Sequence, residues 1–347
     1  MRLFTLCFAA IAAALPCRAE SPEAIAEALA SNPPANGMTE ARRDAVGMLD
    51  AWIAQPDSDS DPAVVAYYQE AADRVLALLE AGPHAEDARC FQLYSSSAIV
   101  QTPACVYAFD LDQGPNKDLH TTPEEEGVAF RLRDDQVARL ADCVDISFHT
   151  HEHHDHIDYE ITRALLAAGK TVVVTERNKA LWAKEPWADK LTTLEQTLRR
   201  PHEVGPLTVH VLHDHQWNNA AHTSGTPCNA YLVTGAGGVG VLTKGDINCG
   251  LRLYGWLAAL PGNGAKVDIV TGSLIYWRGP NLNRKIDTLF APIWLPSHAW
   301  EFTHRPVGEK RGNAAPFLAG YLMQQRLSAE GDTALLTWGE HLAVEGG

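Results

Sequence analysis

Apolar residues recur three and four positions apart through residues 25–29, 46–53 and 64–79, the rhythm that gives a helix one buried face. Between these stretches stand Asn32-Pro33-Pro34 and Gln55-Pro56-Asp57-Ser58, and proline cannot continue a helix interior. The pattern predicts an all-helical lead-in over residues 20–88, broken into about three helices. It carries no recognisable chemistry, and its expected role is to pack against whatever follows.

From residue 90 the pattern shortens to β-rich runs at 90–95, 97–102 and 105–112. Helical and strand-like segments then alternate: a helix over 125–140, a strand over 143–148, a helix over 161–168 and a strand over 171–175. Further strands are predicted at 207–212, 229–234, 238–243, 267–269, 290–295 and 334–338, with 229–234 and 238–243 joined by a glycine-rich turn at 235–238. This alternation is that of a single α/β domain, spanning residues 89–347.

The extreme N-terminus has a different pattern. Arg2 precedes an apolar run over residues 3–15, and small residues lead to Ala19 before the sequence turns acidic, which is the layout of an export signal over residues 1–19. The run is too short to span a bilayer, which takes about 20 residues. The expected location is the periplasm or the exterior. Of seven cysteines, Cys7 and Cys17 would leave with the signal, and five would remain. In an oxidising compartment disulfides persist; the first expected pair is Cys90 with Cys105, across a hairpin, and the second is Cys228 with Cys249.

Composition sets further bounds. The 347 residues are 46% hydrophobic and 20% charged, a globular balance able to fill a large core. Forty-three acidic against 28 basic residues give a net charge of −15, a field that repels phosphate backbones and anionic lipid surfaces. Nucleic acid is not an expected partner, no membrane span is expected, and the oligomeric state is not readable.

The chemistry is concentrated in Asp145-Ile-Ser-Phe-His149-Thr-His151-Glu-His153-His154-Asp155-His156-Ile-Asp158. An apolar strand runs directly into metal-binding side chains. His151 and His153 stand two apart, so an extended backbone turns both imidazoles to one side, where they can share an ion. Asp155 and His156 follow where the chain can turn into a helix and offer a carboxylate and an imidazole to a second ion. A solvated histidine tract would also match this spacing, but it would need neither the preceding strand nor partners downstream.

The run His151-Glu-His153-His154-Asp155-His156 after such a strand resembles the signature of the metallo-β-lactamase-fold hydrolases. The resemblance implies an α/β fold, an αββα metallo-β-lactamase-like sandwich, over residues 89–347, with the N-terminal all-helical extension outside it. The branch it suggests is that of lactonase-like and phosphodiesterase-like proteins. The implied ligands are His151, His153 and a third histidine for the first metal, and Asp155, His156 and a last histidine for the second, with an aspartate bridging the two. The bridging residue matches Asp246, in Leu242-Thr-Lys-Gly245-Asp246. The last histidine matches His298, in Leu295-Pro-Ser-His298, with His304 as the rival. His215 is the choice for the third ligand, with His213 and His222 as alternatives; the stretch His222-Thr-Ser-Gly225-Thr226 lacks the histidine that other branches carry after glycine. Asp110 in Phe109-Asp110-Leu-Asp112 matches the family's first motif, an aspartate that orients the metal loop, and Asp112 is its alternative.

The activity implied is that of a metal-dependent hydrolase with two divalent ions, zinc expected and manganese or iron allowed by the oxygen donors of Asp155 and Asp246, the two residues expected to be catalytic. Such a pair brings a bridging water toward neutral pKa as the nucleophile. The expected substrates are small molecules with an ester, lactone or phosphodiester bond. A true β-lactamase and a non-catalytic metal-binding or scaffold protein are the alternatives. Trp217, Tyr254, Trp256, Tyr276, Trp277 and Trp300 are candidates for a pocket wall, and Lys244 and Arg278 for an anion contact, with core packing and surface charge as their ordinary roles.

Overall fold

The computed structural model describes residues 21–83, 88–197, 199–216, 225–235, 237–247, 250–260, 266–273, 290, 292–302 and 333–344. The expected export signal, Cys249, His222, His304, Trp217, Tyr276, Trp277 and Arg278 lie outside the described residues.

Three helices open the described residues: α1 (Pro22–Ser31), α2 (Glu40–Ile53) and α3 (Pro62–Glu80). Ser21, Thr39 and Asp61 cap them, each side chain accepting from a backbone N–H of the first turn. Pro22 and Pro62 stand at the first helical position, where the missing N–H has no intrahelical partner to lose. Their buried faces carry Ile25 and Leu29, Val46 and Leu49, and Tyr68, Val75 and Leu76.

The strands follow as β1 (Ala88–Gln92), β2 (Ala98–Gln101), β3 (Val106–Phe109), β4 (Ile146–Phe148), β5 (Thr171–Val174), β6 (Thr192–Thr193), β7 (His202–Val204), β8 (Leu207–Gln216), β9 (Thr226–Thr234), β10 (Gly240–Thr243), β11 (Ile269–Ser273), β12 (Ile293–Ser297) and β13 (His341–Val344). They form two sheets, in the orders β13-β1-β2-β3-β4-β5-β6 and β12-β11-β10-β9-β8-β7. Among the described residues, four α-helices lie between strands: α4 (Asp134–Cys143), α5 (Tyr159–Ala167), α6 (Glu176–Leu181) and α7 (Gly250–Ala259). In the first sheet β3, β4, β5 and β6 run parallel, linked by helical crossovers; in the second β10, β11 and β12 run parallel, with α7 between β10 and β11.

Strand alternation separates the layers. Tyr107, Phe109, Ile146 and Phe148 of the first sheet share one core with Val209, Val211, Tyr231, Val233, Val241 and Ile269 of the second. The residues of opposite parity, Ala108 in the first sheet and Leu232, Leu242 and Val270 in the second, join the clusters that the helices cover. The result is helix, sheet, sheet, helix. Tyr68 of α3 stacks on Phe130 at 4.4 Å and meets Trp338 edge-on at 5.3 Å, and Arg133 and Arg139 at α4 reach Asp73 and Glu80 of α3. The lead-in is thereby fastened to the domain. Among the described residues, no helix is long and apolar enough to cross a membrane.

Three sequence expectations need correction. The helix expected over 125–140 starts at Asp134, because the acidic stretch before it is consumed by loop contacts: the Glu126 carboxylate accepts from the backbone N–H of Lys117 and Asp118, and Glu125 from Thr122. The strand expected over 334–338 falls at β13. Its residues instead send their N–H groups to scattered acceptors, Ala334 to the Trp294 carbonyl and Thr337 to the Glu340 carboxylate. The Cys90–Cys105 disulfide is absent and both thiols are free. Cys90 pairs with Val100 of β2, and Cys105 precedes β3 on the far side of that strand. Two strand spacings, about 9 to 10 Å, separate them, whereas a disulfide needs Cα atoms within about 7 Å. Cys228 is also a free thiol.

Candidate metal centre

β4 lies between β3 and β5 and delivers its C-terminal end to the loop 149–158. The loop turns tightly, and α5 begins where the Asp158 carboxylate accepts from the Ile161 N–H at 2.9 Å. His149, first in the loop, is buried and structural: its Nδ1 donates to the carbonyl of His156 at 2.9 Å and its Nε2 faces Ser147 Oγ at 3.0 Å.

Asp110, at the end of β3, is the anchor of the loop. Its carboxylate accepts from the Thr150 N–H at 2.7 Å, from Thr150 Oγ1 at 2.9 Å and from His156 Nδ1 at 2.9 Å. These bonds decide tautomers. His156 donates through Nδ1 to Asp110, so Nε2 is the nitrogen that can turn to an ion once it gives up its proton. Thr150 spends its single hydroxyl proton on Asp110, so His151 Nδ1, 3.0 Å from the same oxygen, is the donor there. His151 Nε2 is then an acceptor, and it is buried without a hydrogen-bond partner.

Around these nitrogens other donors converge from separate strand ends. His151, His156 and Asp246 form one buried group whose ligand atoms lie within 4.8 Å of one another, and Asp155, His156 and His298 form a second. Asp246 Oδ1 stands 3.1 Å from His298 Nε2 and 3.7 Å from His156 Nε2. Asp155 Oδ2 stands 3.5 Å from His156 Nε2 and 3.3 Å from His298 Nδ1. The ring of His153 lies 4.6 Å from that of His151, with its Nε2 3.4 Å from Thr226 Oγ1, at the more open side.

His215 joins neither group. The residue of β8 that meets the centre is its neighbour Gln216, whose Nε2 donates to Asp246 Oδ2 at 2.7 Å. Successive side chains of a strand point to opposite faces, so His215 shares its face with His213, whose Nε2 reaches the Leu194 carbonyl at 2.8 Å. His215 Nδ1 is buried without a hydrogen-bond partner, and among the described residues it is Gln216, one position on, that touches Asp246.

Sequence reading also passed over the turn between β1 and β2. Ser96 Oγ lies 3.1 Å from His298 Nε2 and 3.4 Å from His156 Nε2, at the heart of the second group. Ser95 Oγ donates to the fully buried carboxylate of Glu301 at 2.9 Å, and Glu301 Oε1 is 3.9 Å from His298 Nδ1. Ser95, Asp110 and His298 all hold positive φ, at 45°, 49° and 60°, a conformation that bulky residues adopt at a cost and that gathers at functional sites. A run of three serines has no spacing signal that would reveal this. Gly245 does have a reason to be glycine: a Cβ there would meet Thr150 Oγ1 at 2.7 Å and Cys228 Sγ at 2.9 Å.

The local field is set by burial and by carboxylates. Burial pulls His151 well below the ordinary histidine range, and the neighbouring His156 adds to this. Burial also opposes charge on His156, but Asp155, Asp110 and Asp246 outweigh it and hold that imidazole well above its usual value. Asp246 is raised by burial and brought well below the carboxylate range by His298 and His156. Lys244 is buried, pushed down to about 8, and donates to the Gly245 carbonyl at 3.2 Å. Trp256 and Trp300 are buried with their indole N–H groups on the Thr197 and Leu336 carbonyls, which is core packing.

The donor set fits a divalent cation on its own evidence: imidazole nitrogens and carboxylate oxygens from three strand ends, an orphaned buried Nε2, and a His156 whose second nitrogen is held by a carboxylate, as metal-bound histidines usually are. Two donor groups sharing His156 leave room for one ion or for two.

No protein-family model matches the sequence, and no curated protein sequence matches it. Among solved structures the chain is similar to a possible metal-dependent hydrolase from Veillonella parvula, at 13% identity, covering 75% of this chain and 100% of that one with a TM-score of 0.49. It is similar also to a metallo-β-lactamase fold protein from Bacillus subtilis, at 12% identity over 75% and 100% of the two chains with a TM-score of 0.45. A metallo hydrolase from the hyperthermophilic archaeon Ignicoccus hospitalis shows 13% identity over 75% and 99%, with a TM-score of 0.46. By its own strand order, outer helices and donors gathered at strand ends, this chain has the αββα architecture of the metallo-β-lactamase fold.

Proposed function

We propose that this protein is an exported metal-dependent hydrolase that cleaves an ester, lactone or phosphodiester bond in a small molecule, with a pair of divalent ions, zinc foremost, held by the His151 to His298 donors. The observation that carries the proposal is the convergence of His151, Asp155, His156, Asp246 and His298 into two adjoining buried donor groups. Divalent ions bound there lower the pKa of water from 15.7 toward about 7, which supplies a nucleophile at neutral pH. The chain's own residues do the rest. Asp110 fixes the ring of His156 and the backbone at Thr150, so the donors are set before any ligand arrives. Ser96 presents a hydroxyl among the donors, within reach of a polar group on a substrate.

The test is a screen of the purified chain against esters, lactones and bis-phosphodiesters, with metal content measured in parallel. Turnover that disappears on chelation and returns with added metal is expected, and His151→Ala or Asp246→Ala removes both metal and turnover. Tight stoichiometric metal with no turnover on any substrate class replaces this reading with a metal-binding role. N-terminal sequencing of the protein from cell fractions tests export, with a start just after Ala19 expected.

A second reading has one specific observation in its favour. Ser96 Oγ, His298 and Asp155 Oδ2 stand in a row at 3.1 and 3.3 Å, the order of a nucleophile, a base and an orienting carboxylate. Activity that survives full metal removal and vanishes in Ser96→Ala would select it.

A further inference from the structure

The end of β8 carries Asp214, His215 and Gln216, and it is Gln216 that reaches the centre. Its side chain is buried, 4% exposed for the residue, and its amide orientation is fixed because a carboxylate only accepts: Nε2 donates to Asp246 Oδ2. The other end of the amide, Oε1, is buried with no hydrogen-bond partner. A buried carbonyl oxygen left unmet is destabilising, because it has lost water and gained no donor in exchange. A second orphaned acceptor, His151 Nε2, belongs to the donor group that contains Asp246. Two unsatisfied lone pairs, one an imidazole nitrogen and one an amide oxygen, thus belong to side chains that gather at the same aspartate.

We propose that Gln216, through Oε1, is a ligand of the ion at the donor group of His151, His156 and Asp246, in the role for which the sequence nominated His215. This rests on the metal-centre reading above and makes it more specific. Its Nε2 at the same time holds Asp246, so one side chain sets two members of the donor set. A neutral oxygen donor is harder and weaker for zinc than an imidazole. The His151 position therefore binds its ion less tightly than the position built from Asp155, His156 and His298, and it accepts manganese or iron more readily relative to zinc.

The experiment uses the full chain, freed of metal and titrated with Zn2+ and separately with Mn2+. Binding is read by equilibrium dialysis with elemental analysis, by chelator competition, and by the visible absorption of the Co2+-loaded protein. Wild type should take two ions of unequal affinity. His215→Ala should leave both affinities and the cobalt spectrum unchanged. Gln216→Ala should weaken the looser ion by about tenfold or more, since even outer partners of a ligand are worth about that much. Gln216→His should tighten zinc at that position and change the cobalt spectrum, a gain that a misfolded variant cannot produce. Loss of the looser ion in His215→Ala or His222→Ala, with Gln216→Ala retaining it, overturns the assignment and leaves the metal-centre reading standing. A wild-type chain that binds no ion overturns both.

Discussion

Asp110 ties three groups to one carboxylate, the Thr150 N–H, the Thr150 hydroxyl and His156 Nδ1, so its removal frees the loop and the ring together. Asp110→Ala should lower metal affinity by about 10- to 100-fold, the range typical of groups that orient a ligand, as measured by chelator competition. Asp112 was the alternative for this role; its Oδ1 accepts from the Gly114 N–H in the adjoining turn. The cysteines allow a second residue-scale prediction. Burial pushes Cys90 up to about 12, and burial with the nearby Asp246 carboxylate holds Cys228 well above its usual range. Thiolate is the reactive form, so in the folded protein at pH 8 an alkylating reagent should modify the half-buried Cys143 first and spare Cys90 and Cys228. Mass mapping after a timed reaction reads the order; equal labelling of Cys90 and Cys143 would contradict the packing described.

At the scale of elements, what the sequence reveals depends on whether a period or a position is being read. The three helices of the lead-in, β1 to β3, β4 with α5, and β8 to β10 follow from periodicity and from proline and glycine punctuation. The loop from His149 to Asp158 is legible because its ligands are contiguous. His298 and Asp246 are legible because each follows an apolar strand. The contact of Gln216 with Asp246 is not, because β8 runs to Gln216, beyond the expected end at residue 212, and extra strand length shifts which side chains reach the rim. Ser96 and Glu301 are not, because they come from segments about 200 residues apart with no local pattern joining them. The lead-in has a connection of the same long-range kind: the Arg42 guanidinium of α2 binds the Glu340 carboxylate and the Leu335 carbonyl, with side chains 4% and 15% exposed. Removing one member of a buried pair strands the other, at a cost of about 3 to 5 kcal/mol. Arg42→Ala should therefore lower the urea midpoint far more than Arg42→Met combined with Glu340→Leu, and the cobalt spectrum should be preserved in both if α2 acts only as a brace.

For the whole molecule, the metal centre couples folding to pH, and the sign follows from the shifts at its donors. His156 sits above its ordinary value, so in metal-free protein it contributes stability that is fully present below the unfolded pKa, about 6.5, and is lost as pH rises through its folded value. Asp246 sits below its ordinary value, so its contribution is present above the unfolded pKa, about 3.9, and is lost as pH falls through its folded value. Without metal, rising pH thus removes the proton that offsets Asp155, Asp110 and Asp246. A divalent ion takes the place of that proton, and its binding requires the neutral imidazole, so metal affinity grows over the same interval. At a free metal concentration 100 times its dissociation constant, one bound ion adds about 2.7 kcal/mol. The difference in unfolding temperature between metal-loaded and chelated protein should therefore be small near pH 5.5 and widen steadily toward pH 8.5. Scanning calorimetry across that interval checks it: a difference that stays constant or narrows would mean that His156 is not a ligand, since a cation bound elsewhere would have no reason to compete with its proton.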